Sequence, residues 1–444
     1  MTDKSFPDMS GPSETGDLLV LVDPEAKATA SIKALESASG MKIAAATDFS
    51  GQGATAAQGV DDADGVFVER FGLAMIRGRS ADARAELPGV LRRASAVQHV
   101  RPEYYMHATD TVRERYESWV RDGLRLLADG AGNALRADRM PEPEIDFSTD
   151  NVATTWGVRA VRADLSPYSG RSVKIAVLDT GFDFQHSDFA GRNVYGESFV
   201  PGETAQDGSG HGTHCAGTAA GPLAHDQTPR YGVAPEADLV ILKVLSNAGS
   251  GRESWIIAGM QRAIALNCEV LSMSLGRRVG LGEDPDPVYE RIGQIALASG
   301  SLIVAAAGND SRRHRGIVAP VNAPANAPSI IAVGAIDDRG RIANFSNGGL
   351  NDDGGEVNFC APGVDIASAY PMPRRYENLN GTSMATPHVA GVAALYAEAD
   401  PSLRGKRLWE IMRRRAADIG VPIRAGGAGL VQAPVSFGSS RHMA

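Results

Sequence analysis

The chain has 444 residues, of which 43% are hydrophobic and 22% charged, and its formal net charge is −9. That length holds more than one domain with ample material for a core, and the acidic balance argues against nucleic acid as a partner. No apolar run reaches the length of a membrane helix, so no membrane partner is expected.

Residues 1–16 are polar and rich in Ser, Pro, Gly and Asp, the composition of a disordered N-terminus. "LLVLV" (Leu18–Val22) reads as a strand, and Asp23-Pro24 opens a helix that stops at Gly40. "MKIAA" reads as a second strand and "ADGVFVERFGLAMIRG" as one containing a long strand. "SADARAELPGVLRRAS" is helical despite Pro88, and "AVQHVRPEYYMHA" supplies a last strand with an extended tail. The order β-α-β-β-α-β predicts a small split-βαβ α+β domain over residues 17–108. Residues 109–150 read as a linker with one charged helix, "VRERYESWVRDGLRLLADG", followed by a proline- and acid-rich connector.

From 151 to 436 the pattern is α/β, and 437–444 is a tail. "RSVKIAVLD", "ADLVILKVL", "EVLSMSLG" and "SLIVAAAGN" are continuous apolar runs, as suits a parallel sheet covered on both faces. Helical patterns alternate with them at Trp255–Asn267, Pro287–Ser299 and Ser383–Glu398. Such alternation predicts a doubly wound, mostly parallel sheet with its ligands at the carboxyl ends of the strands.

Cys215, Cys268 and Cys360 are an odd count with no disulfide framework, and their apolar or glycine-rich settings suit buried thiols in a reducing compartment. The N-terminal "MTDKSFPDMSGPSETGD" has no apolar segment of the secretory kind. Both features predict a cytoplasmic protein, with non-classical export as the alternative.

Four short stretches carry chemistry. Asp179 ends the strand "VKIAVLD", where a carboxylate is either a turn-former or an acid. "DGSGHGTHCAGTAAG" places His211 and His214 at a glycine-rich entry to a helix; two histidines without a third ligand do not specify a metal. "AAAGND" puts Asn309 after a strand of small residues, where an amide could donate to an oxyanion. "NGTSMATPHVAG" sets Ser383 at the start of a buried helix, with Pro387 tolerable in its first turn. Ser383 is then either a capping serine or a nucleophile facing unpaired N–H groups.

Together these motifs resemble the subtilisin-like serine proteases, the subtilase family (peptidase S8). "VLDTGFDFQHSDF" is similar to the family's aspartate motif, "HGTHCAGT" to its histidine motif, "AAGN" to its oxyanion motif and "GTSMATPHVAG" to its serine motif, in the family's order. The resemblance runs from about Asn151 to Gln432 and implies a serine endopeptidase acting on peptides and proteins through an acyl-enzyme. It implies Ser383 as nucleophile, His211 as general base, Asp179 as its orienting acid and Asn309 as oxyanion donor. His214, His388 and His186 take structural roles by the same pattern.

The resemblance further implies that an extended peptide pairs between Gly249–Ser250–Gly251 and Ser274–Leu275–Gly276. The pocket for the residue before the cleaved bond would be walled by Ser274–Gly276 and by Ala306, Ala307 and Gly308. Such small walls suggest room for a large apolar side chain. The nearby Arg312, Arg313 and Arg315 read as a solvated loop.

Asp188 matches an aspartate that ligates calcium in many members, so the resemblance admits structural calcium there, although "AAGPLAHDQTPRYG" lacks the usual asparagine-rich turn. The chemistry itself requires no cofactor. Residues 17–108 resemble the family's propeptide, which implies a self-processing zymogen inhibited by its own tail, "RPEYYMHA". A pseudoprotease, or a processing protease serving one partner, is the minor alternative.

Overall fold

The computed structural model describes residues 13–46, 63–78, 81–109, 153–223, 228–351 and 354–435. The helix expected in the linker lies outside them. The described residues form two compact units. One holds the chain up to Met106 together with Arg252–Ser254, and the other holds His107–Gly251 and the chain from Trp255 onward.

The first unit runs β1 (Glu14–Val22), α1 (Ala28–Ser39), β2 (Ile43–Ala46), β3 (Gly65–Val68), β4 (Leu73–Ile76), α2 (Ala81–Leu91) and β5, which starts at Val97 and extends to Ala108. Its strands lie in the order β5-β1-β4-β3-β2. All pairings are antiparallel except that of β2 with β3. Leu18, Val20 and Val22 alternate onto one face and meet Leu35, Phe67, Leu87, Leu91 and Val100. The single long strand expected here is a hairpin instead. A short turn over Glu69–Phe71 ends at Gly72, whose φ of 58° is the left-handed conformation glycine adopts without strain. β1 also begins at Glu14, inside the stretch expected to be disordered. Arg101 grips Glu253 with two bonds, of 2.7 and 3.1 Å, with both partners buried.

The second unit is built on β6 (Lys174–Asp179), β7 (Tyr195–Ser198), β8 (Asp238–Lys243), β9 (Ser250–Arg252), β10 (Val270–Met273), β11 (Leu275–Gly276), β12 (Leu302–Ala306), β13 (Ile331–Ile336), β14 (Phe359–Pro362) and the hairpin β15 (Ile366–Ala369) and β16 (Tyr376–Leu379). Its helices are α3 (Trp156–Ala160), α4 (His211–Ala220), α5 (Glu253–Ala265), α6 (Pro287–Ala298), α7 (Thr382–Ala399) and α8 (Gly405–Arg415). The large sheet has the order β14-β13-β12-β10-β6-β8-β7 and is parallel throughout. The order reverses beside β6, which places a crevice at the carboxyl ends of β6, β10 and β12.

The helix α7 is buried at every residue from Thr382 to Ala397. Its apolar side chains stabilise it: Val389, Val392 and Leu395 are fully enclosed, each worth about 1.5–3 kcal/mol. Gly391 is required for close packing, since a Cβ there would lie 2.5 Å from Val233 Cβ. Pro387 departs from the expectation. The helix starts at Thr382, so the proline stands in its second turn and leaves the carbonyl of Ser383 without its helical N–H.

Candidate active site

The carboxylate of Asp179 ends β6 and meets the first residue of α4, His211, with Oδ1 2.7 Å from Nδ1. A second carboxylate, missed in the sequence, fixes this approach. Asp207 Oδ1 accepts from Thr180 Oγ1, Ser209 N and Gly210 N, each at 2.9 Å. Its Oδ2 accepts from Thr213 N at 2.9 Å and Thr213 Oγ1 at 2.7 Å. Thr180 Oγ1 in turn accepts from Gly212 N at 2.9 Å, so the strand end and the helix start are clamped together. Gly212 permits the contact, for a Cβ would fall 2.2 Å from Gly181 O.

Burial by itself would lower the pKa of His211, but the adjacent Asp179 carboxylate, with Cys215, outweighs it and holds the ring well above its ordinary value of 6.5. His211 Nε2 and Asp179 Oδ2 are buried and have no hydrogen-bond partner among the described residues. His214 and His388 are tied to backbone carbonyls. His214 Nε2 reaches Ile366 O at 2.9 Å, and burial pushes its pKa down to about 3. His388 Nδ1 reaches Met384 O at 2.8 Å, and burial pushes it to about 4. Both are therefore neutral near pH 7.

Ser383 is the second residue of α7, behind Gly381 as cap, so it is not the capping residue. The carbonyl that Pro387 leaves without a helical partner is taken by other donors: Ser274 Oγ at 2.8 Å and Cys215 Sγ at 3.6 Å. Cys215 also lies 3.9 Å from His211 Nδ1. Asp179, His211 and Cys215 are, among the described residues, the one cluster of three potential metal ligands.

Asn309 follows β12, and its amide is held in one orientation. Its Oδ1 accepts from Thr382 N and Thr382 Oγ1 at 2.9 Å each, which turns Nδ2 toward the carbonyl oxygen of Thr109, 2.7 Å away. The Ser383 hydroxyl bonds the same Thr109 oxygen and lies 2.6 Å from Thr109 Oγ1. The residues leading to Thr109 run as a strand. Ala108 N donates to Gly249 O at 2.9 Å, and His107 and Ala108 pair antiparallel with Gly276 and Leu275. Thr109 N reaches Ser274 O at 3.2 Å. Residues 107–109 thus pair along both anticipated backbone tracks, at Gly249 and at Ser274–Gly276. Ser250 and Gly251 begin β9 beside it.

The anticipated pocket walls are closely packed by neighbouring side chains. Ala306, Ala307 and Gly308 are all buried, and Gly308 is crowded by amides. A Cβ there would meet Asn347 Nδ2 at 2.3 Å and Asn322 Nδ2 at 2.5 Å, while one at Gly276 would meet Asn322 Cβ at 3.5 Å. Asn322 is held by Asp310 Oδ2 at 2.8 Å. Nor is Arg313 a solvated charge. It donates to Ser346 O at 2.8 Å and Asn347 O at 3.2 Å, and burial lowers its pKa.

Asp188 does not have the surroundings of a calcium ligand. Its carboxylate accepts from Arg375 Nη2 at 2.9 Å, from Tyr231 Oη at 2.9 Å and from Tyr376 Oη at 2.8 Å. A calcium ion needs six to eight oxygen acceptors, whereas these groups are donors and one is itself a cation.

A serine beside a fixed amide donor, with a buried acid–imidazole pair in the same crevice, is the equipment of a hydrolase that works through an oxyanion. Residues 170–430 match the Peptidase S8 family, described as the subtilase family. Subtilisin E of Bacillus subtilis is 34% identical over 359 residues, covering 78% of this chain and 89% of that protein. Subtilisin of Bacillus pumilus is 42% identical over 270 residues, 60% of this chain and 92% of the relative. The M-protease of Shouchella clausii is 38% identical over 296 residues, 66% and 72% respectively. The chain belongs to the subtilase family and is a serine endopeptidase of the Asp-His-Ser type.

One expectation is overturned by these relatives. Homologous subtilisins are secreted extracellular enzymes, which conflicts with the cytoplasmic assignment. The three cysteines misled because each is buried. A thiol shielded from oxidants and from other thiols says little about the compartment around it.

Proposed function

We propose that Ser383 is the nucleophile of this endopeptidase, that His211 Nε2 takes its proton and returns it to the leaving amine, and that Asp179 holds the imidazole and stabilises the imidazolium. Asn309 Nδ2 and the backbone N–H of Ser383 would stabilise the tetrahedral oxyanion. The observation that carries the reading is the meeting of Asn309 Nδ2 and Ser383 Oγ on one peptide oxygen, that of Thr109. A fluorophosphonate probe should label the wild-type protein and leave Ser383→Ala unlabelled. Equal labelling of both would remove Ser383 from the mechanism.

We further propose that the chain is a zymogen whose own residues 107–109 lie as the acyl half of a substrate. Thr109 then precedes the cleaved bond. Attack by Ser383 on the Thr109 carbonyl would break the bond to Asp110, with the new amine leaving and water releasing the acyl group. Residues 17–108 would act as the inhibitory propeptide. Purified wild-type protein should lose its N-terminal part after Thr109, while Ser383→Ala keeps its full mass. Shortening of Ser383→Ala at the same site and rate would overturn self-cleavage.

A further inference from the structure

Asp188 stands in the short turn Ser187–Phe189, and its side chain is only 3% exposed. Burial would raise its pKa, but the donors from Arg375, Tyr376 and Tyr231 outweigh this and keep the carboxylate below its ordinary range. An ionised carboxylate in that setting needs a positive partner, since leaving it unpaired is costly. Arg375 is that partner, and the site is assembled around it.

The turn carrying Asp188 grips the hairpin turn carrying Arg375 through a second histidine contact. His186 Nε2 lies 2.8 Å from Arg375 O, and its Nδ1 accepts from Asp188 N at 3.2 Å, which specifies the neutral ring protonated on Nε2. The guanidinium also lies over the Tyr376 ring, 5.0 Å from its centroid. Tyr231 and Tyr376 meet edge to face with centroids 6.0 Å apart, so the two phenols that serve Asp188 brace each other. Among the described residues no cluster of three or more acidic, histidine or cysteine ligands forms at Asp188.

We propose that Arg375 is the resident cation of the Asp188 site, doing with a side chain what a bound calcium ion would otherwise do. The ion pair locks the turn at residues 186–189 to the β15–β16 hairpin. That hairpin matters because its carbonyls at Ile366 and Glu377 both receive His214 Nε2, at 2.9 and 3.1 Å, on the helix that begins with His211. The strut is thus independent of calcium, and removing Arg375 leaves the buried Asp188 carboxylate without its cation.

The test reads stability alone, in a Ser383→Ala background that cannot digest itself, so its failure is separate from any failure of the catalytic assignments. Melting temperature is measured in EDTA and in millimolar CaCl2 for this protein and for added Arg375→Ala, Asp188→Asn and the double change. Calcium should leave the parent's value unchanged at this site: any calcium shift seen in the parent should persist in Asp188→Asn. Arg375→Ala should melt about 5 °C or more lower, by the same amount in EDTA and in calcium. The double variant should fall no further than the worse single one. A calcium shift in the parent that vanishes in Asp188→Asn would overturn the proposal, as would additive losses in the double variant. If Arg375→Ala does not fold, Arg375→Lys replaces it and should keep most of the stability; a loss as large as that of Asp188→Asn would count against the pairing.

Discussion

Asn309 Nδ2 donates to Thr109 O over 2.7 Å because Asn309 Oδ1 is pinned by the backbone and hydroxyl of Thr382. The donor is therefore aimed before any substrate arrives, and the residue that aims it is the neighbour of Ser383. Asn309→Leu should lower kcat by about 10²–10³ with little change in KM; that magnitude is taken from subtilisin, where loss of one such donor has this effect. Steady-state kinetics on a peptide substrate checks it, and unchanged turnover would exclude Asn309 from the chemistry.

Asp207 touches no reacting atom, yet it gathers five donors from both sides of the Asp179–His211 pair. Asp207→Ala should release the helix start and displace His211 by a fraction of an ångström or more. A fall in kcat of about 10²-fold is expected, with KM held within a few-fold. Loss confined to stability, with the surviving folded enzyme fully active, would show that Asp207 only supports the fold.

The pH profile follows from the charge beside His211. The base must be neutral to accept a proton, and Asp179 favours the imidazolium. Activity should therefore rise with pH through a midpoint above 6.5, the ordinary histidine value. Asp179→Asn removes the charge, so the midpoint of kcat/KM should move to lower pH while kcat drops by about 10⁴. A midpoint that stays in place would mean that another group sets the acid limb.

Cys215 is wholly buried, 3.9 Å from His211 Nδ1 and 3.6 Å from Ser383 O. A mercurial on its sulfur has no room there without moving one of them. Inhibition by an organomercurial is expected for the wild-type enzyme, and Cys215→Val should resist it. Burial also raises the Cys215 thiol's pKa, so the onset should be slow and faster at alkaline pH. Equal loss of activity in both proteins would point to Cys268 or Cys360 instead.

How much of this was legible beforehand depended on whether the signal was local. The apolar runs ending in Asp179 and Ala306 became parallel strands, and the helix pattern after His211 became α4, because each buries both or one of its faces in the expected way. The hairpin at Gly72 hid inside a run whose turn is made by Glu69–Phe71, residues that read equally well as strand. Asp207 stood in a glycine- and serine-rich stretch where an aspartate reads as a turn-former. Pro387 reads as a first-turn residue because nothing in the sequence says that Thr382, not a residue further on, starts the helix. Arg375 is 187 residues from Asp188, and no periodicity links an arginine in a hairpin turn to an acid so far upstream. The amides of Asn322 and Asn347 that crowd Gly308 arrive from separate loops, which no local pattern announces.

The burial of α7 bears on how such an enzyme can be made safely. Its helix packs against β6, β10, β12, β13 and β14 at once, and it carries Ser383 into the crevice those strands create. Ribosomes deliver the chain from its N-terminus, so this segment appears well after Asp179 and His211. A nascent chain can hold Asp179 and His211 for many seconds with no nucleophile to serve. If Ser383 is the nucleophile, as proposed, translation products that stop short of residue 383 cannot cleave a peptide bond, whatever else they have managed to fold.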